Sequence, residues 1–201
     1  MKNLKSIKPV LLVFSFLLIT LLFLKTIPFI SAPADHASVL PLTIYDNKLS
    51  NTESPADDAP EIKNKTGKWI NTVKDLQPED FKGKVLLIEF WTFGCYNCTN
   101  TLPFINKWYE KYKSDKFEII GIHCPEFDNE RNFDNVKRNV DELGIKYPVL
   151  TDNEFSIWQK YDVHAWPTIF LIDKKGEIRY KKVGEGKYDI TEEKIVELIN
   201  E

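Results

Sequence analysis

Two cysteines three apart, Cys95 and Cys98 in the run Gly94-Cys95-Tyr96-Asn97-Cys98, are the residues of this sequence best suited to chemistry. A thiolate is both a nucleophile and a metal ligand, so the spacing admits three uses. The pair can exchange with a substrate disulfide, form half of a zinc site, or stand as an inert disulfide. Zinc takes four ligands, and the chain offers only Cys124, His36, His123 and His164 besides the pair, with no second C-x-x-C. His123 and Cys124 adjoin on what reads as a strand, so they would point to opposite faces. An inert disulfide across so short a loop would constrain little of the unfolded chain. Exchange is the use these residues favour, with no metal and no cofactor implied.

The surrounding elements suit that use. Residues 85–91, Val-Leu-Leu-Ile-Glu-Phe-Trp, form a nearly continuous apolar run, as in a strand covered on both faces. The cysteines follow where that strand hands over to a helix with Ile105, Trp108, Tyr109 and Tyr112 inward. A thiol at a helix N-terminus faces unpaired N–H groups and the positive end of the dipole, which stabilise its thiolate. Cys95 then attacks a disulfide, and the more buried Cys98 resolves the mixed disulfide. Gly94 permits a sharp turn and the close approach of a partner.

The remaining pattern predicts strands at 69–73, 117–123, 168–172 and 178–183, and an extended piece at 147–150. Helices are expected at 132–143 and 153–161, and Thr191 is expected to cap a last helix ending at Asn200. Residues 173–176 are few enough for a hairpin. The expected fold class is α/β, a mixed central sheet with helices on both faces.

The first 34 residues differ from the rest. Lys2, Lys5 and Lys8 precede an uncharged run at 10–24, and Ala32-Pro33-Ala34 offers a small-residue cleavage site. The run suits a signal segment; if Lys25 snorkels, it can extend to Ile30 as an uncleaved membrane anchor. Residues 1–34 are therefore read as a signal peptide or membrane anchor, 35–66 as a flexible tether rich in Pro and polar residues, and 67–201 as the folded domain. The basic end stays inside, so the domain is expected outside the cytoplasm. The formal net charge of -3 becomes more acidic once the four lysines of the leader are set aside, which excludes a nucleic-acid partner.

The segment Glu89-Phe90-Trp91-Thr92-Phe93-Gly94-Cys95-Tyr96-Asn97-Cys98, with Pro103 beyond it, resembles the active-site segment of the thioredoxin superfamily. Trp166-Pro167-Thr168 resembles that family's cis-proline loop. Trp69-Ile70-Asn71-Thr72, Phe81-Lys82-Gly83-Lys84-Val85, His123-Cys124-Pro125-Glu126-Phe127 and Gly184-Glu185-Gly186-Lys187-Tyr188 narrow the likeness to the TlpA-like redoxin branch. Within that branch the chain is most similar to the soluble redoxin domain of DipZ-type proteins.

The resemblance implies a thioredoxin fold, a cis Pro167 that clamps an extended substrate, and a buried Glu89 that takes the proton of the resolving thiol. Trp91, Tyr96 and Trp166 are expected to bind substrate, with Phe93 beside them; core packing is the alternative for Trp91 and Phe93. Cys124 is either a small buried hydrophobe or an accessory thiol, and Glu126 a possible accessory group. The implied activity is disulfide reduction in exported proteins. DipZ-type proteins carry a multi-span electron-transfer domain, whereas this chain has one candidate span, so a separate membrane electron donor is expected. Gly94 stands where thioredoxins usually carry Trp, and Tyr96-Asn97 replaces their Gly-Pro. A peroxidase-type redoxin and a copper-handling module are the competing readings.

Overall fold

The computed structural model describes residues 57–201. The expected signal or anchor segment and most of the tether lie outside the described residues. Among the described residues, no helix is long and apolar enough to cross a membrane.

Six stretches of the domain place apolar residues on both sides of a strand, or on the inner side of an edge strand, and so assemble a sheet. The strands are β1 (Trp69–Ile70), β2 (Val85–Trp91), β3 (Phe117–His123), β4 (Val149–Thr151), β5 (Thr168–Ile172) and β6 (Ile178–Val183). They form one sheet in the order β1-β4-β3-β2-β5-β6. β2, β3 and β4 run parallel, while β5 is antiparallel to β2, β6 to β5 and β1 to β4. The helices are α1 (Tyr96–Tyr112), α2 (Phe133–Glu142), α3 (Ser156–Lys160) and α4 (Tyr188–Asn200). The expected mixed sheet with helices on both faces is thus present.

Alternation along β2 explains the two cores. Val85, Leu87 and Trp91 enter the layer under α1, α2 and α4, together with Ile105, Trp108, Val140 and Ile195. Leu86, Ile88 and Phe90 enter the opposite layer with Ile157 of α3 and with Tyr161 and Ile62. β2 is buried along its whole length, which its uninterrupted apolar run requires.

Three expectations change. Residues 57–66, read as the end of a loose tether, lie against the domain. Ile62 is buried, the Tyr161 hydroxyl donates to the Pro60 carbonyl at 2.7 Å, and the Asn64 amide donates to Asp152 Oδ1 at 2.8 Å. Asp58 also bridges antiparallel to Glu177. The first strand stops at Ile70, because Asn71 adopts φ 62 and its side chain turns to the carbonyls of Ile145 and Tyr147. Finally, α4 starts at Tyr188, so Thr191 is not its cap. The Thr191 hydroxyl is buried inside the helix and donates to the Lys187 carbonyl one turn back.

Candidate active site

All three cysteines are free thiols. Cys95 is the N-cap of α1, and its Sγ accepts the Cys98 N–H at 3.3 Å. That sulfur therefore sits where α1 presents its unpaired donors and positive dipole end. Cys95 is half-buried and Cys98 fully buried behind it. Burial holds the Cys98 thiol well above the ordinary cysteine range, and the neighbouring Cys95 thiol and Glu89 charge push in the same direction. Cys98 therefore needs a proton acceptor before it can act as a nucleophile.

Glu89 is that candidate. Its side chain is fully buried in the apolar layer, between Leu87 and Trp91 in sequence. Burial raises its carboxyl to about 7, while a hydrogen bond from Tyr147 and the Lys182 charge pull it down. The Tyr147 hydroxyl donates to Glu89 Oε2 at 3.0 Å, and Oε1 has no partner. Glu89 stands opposite Gly121 on β3. A Cβ at Gly121 would come within 2.8 Å of the Trp91 indole nitrogen and 3.1 Å of the Tyr147 ring. The missing side chain thus leaves room for the two rings beside Glu89.

A second carboxylate, which sequence reasoning passed over, fixes the loop in front of the cysteines. Glu130 is fully buried, and its carboxylate accepts the backbone N–H of Gly94 at 2.8 Å, that of Phe127 at 3.0 Å and that of Glu126. A Cβ at residue 94 would lie 2.2 Å from Glu130 Oε1. The carboxylate thus occupies the space a larger residue would need, which accounts for Gly94 where thioredoxins usually carry Trp. In the sequence Glu130 belongs to a polar run, Asp128-Asn129-Glu130-Arg131, that reads as solvated. Only the fold turns it inward.

His123 lies beside this clamp, against the rings of Trp91 and Phe93 at centroid distances of 5.3 Å and 5.6 Å. Its Nε2 is 3.3 Å from the Thr92 hydroxyl. Burial lowers its pKa to about 4, only partly offset by the Glu130 charge, so the ring is neutral at ordinary pH.

The outer surface is aromatic. Tyr96 is 77% exposed, Phe127 is exposed, and Phe93 and Trp166 are half-buried. Trp91, expected to bind substrate, is instead fully buried in the core, because its position on β2 points under α1. The Trp166–Pro167 peptide is cis. Pro167 precedes Thr168, which pairs with Phe90 of β2, and the Pro167 carbonyl accepts the Gly184 N–H at 2.8 Å.

The accessory residues are not gathered to the pair. Cys124 is fully buried in the layer opposite that of Cys98, with its Sγ 3.9 Å from Asp152 Oδ2. Burial pushes its thiol well above the ordinary range. The sheet separates the two thiols, and Cys124 packs as a small buried side chain. Glu126 is exposed and enters the clamp only through its backbone. His164 is exposed and paired with Asp162 at 2.9 Å. Among the described residues, no group of three or more His, Cys, Asp or Glu side chains is arranged to hold a metal ion.

The family model described as the AhpC/TSA family matches residues 55–181. The chain belongs to this family, and its domain has the thioredoxin-like fold. Protein DipZ of Mycobacterium tuberculosis (strain CDC 1551 / Oshkosh) is 39% identical over 145 residues, covering 71% of this chain and 21% of that protein. Thiol-disulfide oxidoreductase ResA of Bacillus anthracis is 37% identical over 112 residues, 56% of this chain and 62% of that protein. The chain thus spans about a fifth of the length of DipZ. A solved thiol-disulfide isomerase from Corynebacterium glutamicum superposes with a TM-score of 0.64 at 29% identity, over 71% of this chain and 97% of that one. These likenesses agree in placing the domain in the TlpA-like redoxin branch.

Proposed function

We propose that the domain is an extracytoplasmic thiol–disulfide oxidoreductase that reduces disulfides in exported proteins. The observation that carries this reading is the arrangement of a half-buried Cys95 at the N-cap of α1 with a fully buried Cys98 next to it. The Cys95 thiolate attacks one sulfur of the substrate disulfide, forming a mixed disulfide and releasing the other sulfur as a thiolate. Cys98 gives its proton to the Glu89 carboxylate and attacks Cys95 Sγ. The Cys95–Cys98 disulfide forms and the second substrate thiolate leaves. Two electrons have passed to the substrate, and a separate membrane electron donor returns two to the pair. Glu89, raised to about 7, is near the best value for a group that must accept a proton at neutral pH and give it up again. Tyr96, Trp166 and the Pro167 loop offer the surface and backbone for an extended substrate.

The direction rests on the likeness to the TlpA-like branch, and the outward location on the basic, then apolar, N-terminal segment. Equilibration of the pair against glutathione buffers tests the direction. A reductant is expected near the thioredoxin value of about -270 mV, whereas a value near -120 mV marks an oxidant. N-terminal sequencing of membrane and soluble fractions tests the location and shows whether the leader is kept.

A further inference from the structure

A second buried charge lies at the base of the site. β2, β5 and β6 place Glu89 opposite Ile169 and Ile169 opposite Lys182, so Gly121, Glu89, Ile169 and Lys182 form one cross-strand row. Residues in one row share a face of the sheet, and Ile169 enters the same core layer as Leu87 and Trp91. Lys182 is only 5% exposed, and its Nζ has no hydrogen-bond partner. Glu89 Oε1 has none either. A buried ammonium is costly unless an opposite charge faces it. Glu89 on β2 and Glu185 on the β6–α4 loop supply that charge; Lys187 on the same loop opposes it. The Tyr188 ring of α4 lies under Nζ at 5.1 Å. On its other sides Glu89 is faced by Tyr147, ahead of β4, and by Cys98 of α1.

We propose that Lys182 is a positioning residue for Glu89: its buried ammonium, in the same cross-strand row, favours the charged carboxylate that takes the Cys98 proton. Burial disfavours the charged carboxylate and Lys182 opposes that effect, and only the charged carboxylate can accept the proton. The alternation of β6 carries the sequence signal, because Tyr180 and Lys182 fall on the inner side while Arg179, Lys181 and Val183 are exposed. This proposal rests on the role given to Glu89 in disulfide exchange.

Two measurements on the full chain test it separately from that role. The first is the pH–rate profile for reduction of a peptide disulfide by Lys182→Met, Lys182→Arg, Glu89→Gln and the Lys182→Met/Glu89→Gln pair. Lys182→Met is expected to move the acidic limb to higher pH, with a loss of about tenfold at pH 6 for each pKa unit moved. The deficit narrows as pH rises, and Lys182→Arg moves the limb back toward the wild-type position. In the Glu89→Gln background, Lys182→Met leaves the profile where Glu89→Gln put it. The second measurement is the Glu89 carboxyl titration followed by carbon-13 NMR, which needs no turnover. Its midpoint rises in Lys182→Met. An unmoved midpoint, a rate loss equal at every pH, or a limb shift that persists without Glu89 overturns the proposal. A raised midpoint in a protein with no exchange activity supports the Lys182–Glu89 coupling and defeats the oxidoreductase reading instead.

Discussion

The backbone N–H of Gly94 donates to the Glu130 carboxylate at 2.8 Å across 36 residues of sequence, and the same oxygen would lie 2.2 Å from any Cβ at residue 94. One contact thus ties the turn before the nucleophile to the loop after β3 and fixes which residue can stand there. Gly94→Ala is expected to cost about 1–3 kcal/mol, the usual penalty for forcing a group into filled space. Glu130→Ala leaves three backbone donors without their acceptor and is expected to cost about 3 kcal/mol. In the Glu130→Ala background the alanine at 94 has room, so the two costs should sum to more than the double variant loses. Denaturant unfolding of the four proteins measures this.

Glu89 and His123 pull the pH dependence of stability in opposite directions. Glu89 rises from 4.5 to about 7 on folding, so the folded state holds the extra proton and stability falls as pH rises through that window. His123 falls from 6.5 to about 4, so the unfolded state holds the extra proton and stability falls as pH drops from 6.5 toward 4. Each window amounts to about 3 kcal/mol at most. Glu89→Gln should therefore unmask acid loss of stability, and His123→Phe should unmask loss toward pH 7. Urea midpoints between pH 4 and 8 check both signs.

Cys124 should behave as a packed side chain. In the native dithiol protein, brief alkylation is expected to label Cys95 alone, while Cys124 reacts only at the rate of unfolding. Cys124→Ala should keep disulfide reductase activity. Mass mapping of the alkylated peptides decides the point, and early labelling of Cys124 would reopen its accessory role.

The segment at 57–66 belongs to the folded unit rather than to a tether. Ile62→Ala is expected to cost about 2–4 kcal/mol, as for other buried large-to-small changes. A thermal melt compared with that of an exposed control, Val73→Ala, measures it.

Much of this architecture was legible in the sequence. The runs of β2, β3 and β5 are apolar on both faces, so their positions follow from composition alone. Cys95 and Cys98 announced themselves by spacing, and Glu89 by its place in the apolar β2 run that resembles the thioredoxin active-site segment. Glu130 and Lys182 did not, since each sits among other charged residues, and only a loop or strand distant in sequence buries it. Trp91 misled for a related reason: proximity to the cysteines in sequence suggested the surface, but strand alternation sends it under α1. The packing of residues 57–66 depends on Tyr161 and Asp152, about a hundred residues away, and local composition carries no trace of that.

The most direct test of the account is to trap the mixed disulfide. Cys98→Ser lacks the resolving thiol, so mixing it with a peptide disulfide should leave one peptide bound covalently at Cys95, released by dithiothreitol and found by intact mass and peptide mapping. Cys95→Ser should trap none. An adduct at Cys124, or no adduct at Cys95 while the wild-type chain still reduces the peptide, would contradict the assignment of Cys95 as nucleophile and Cys98 as resolving thiol.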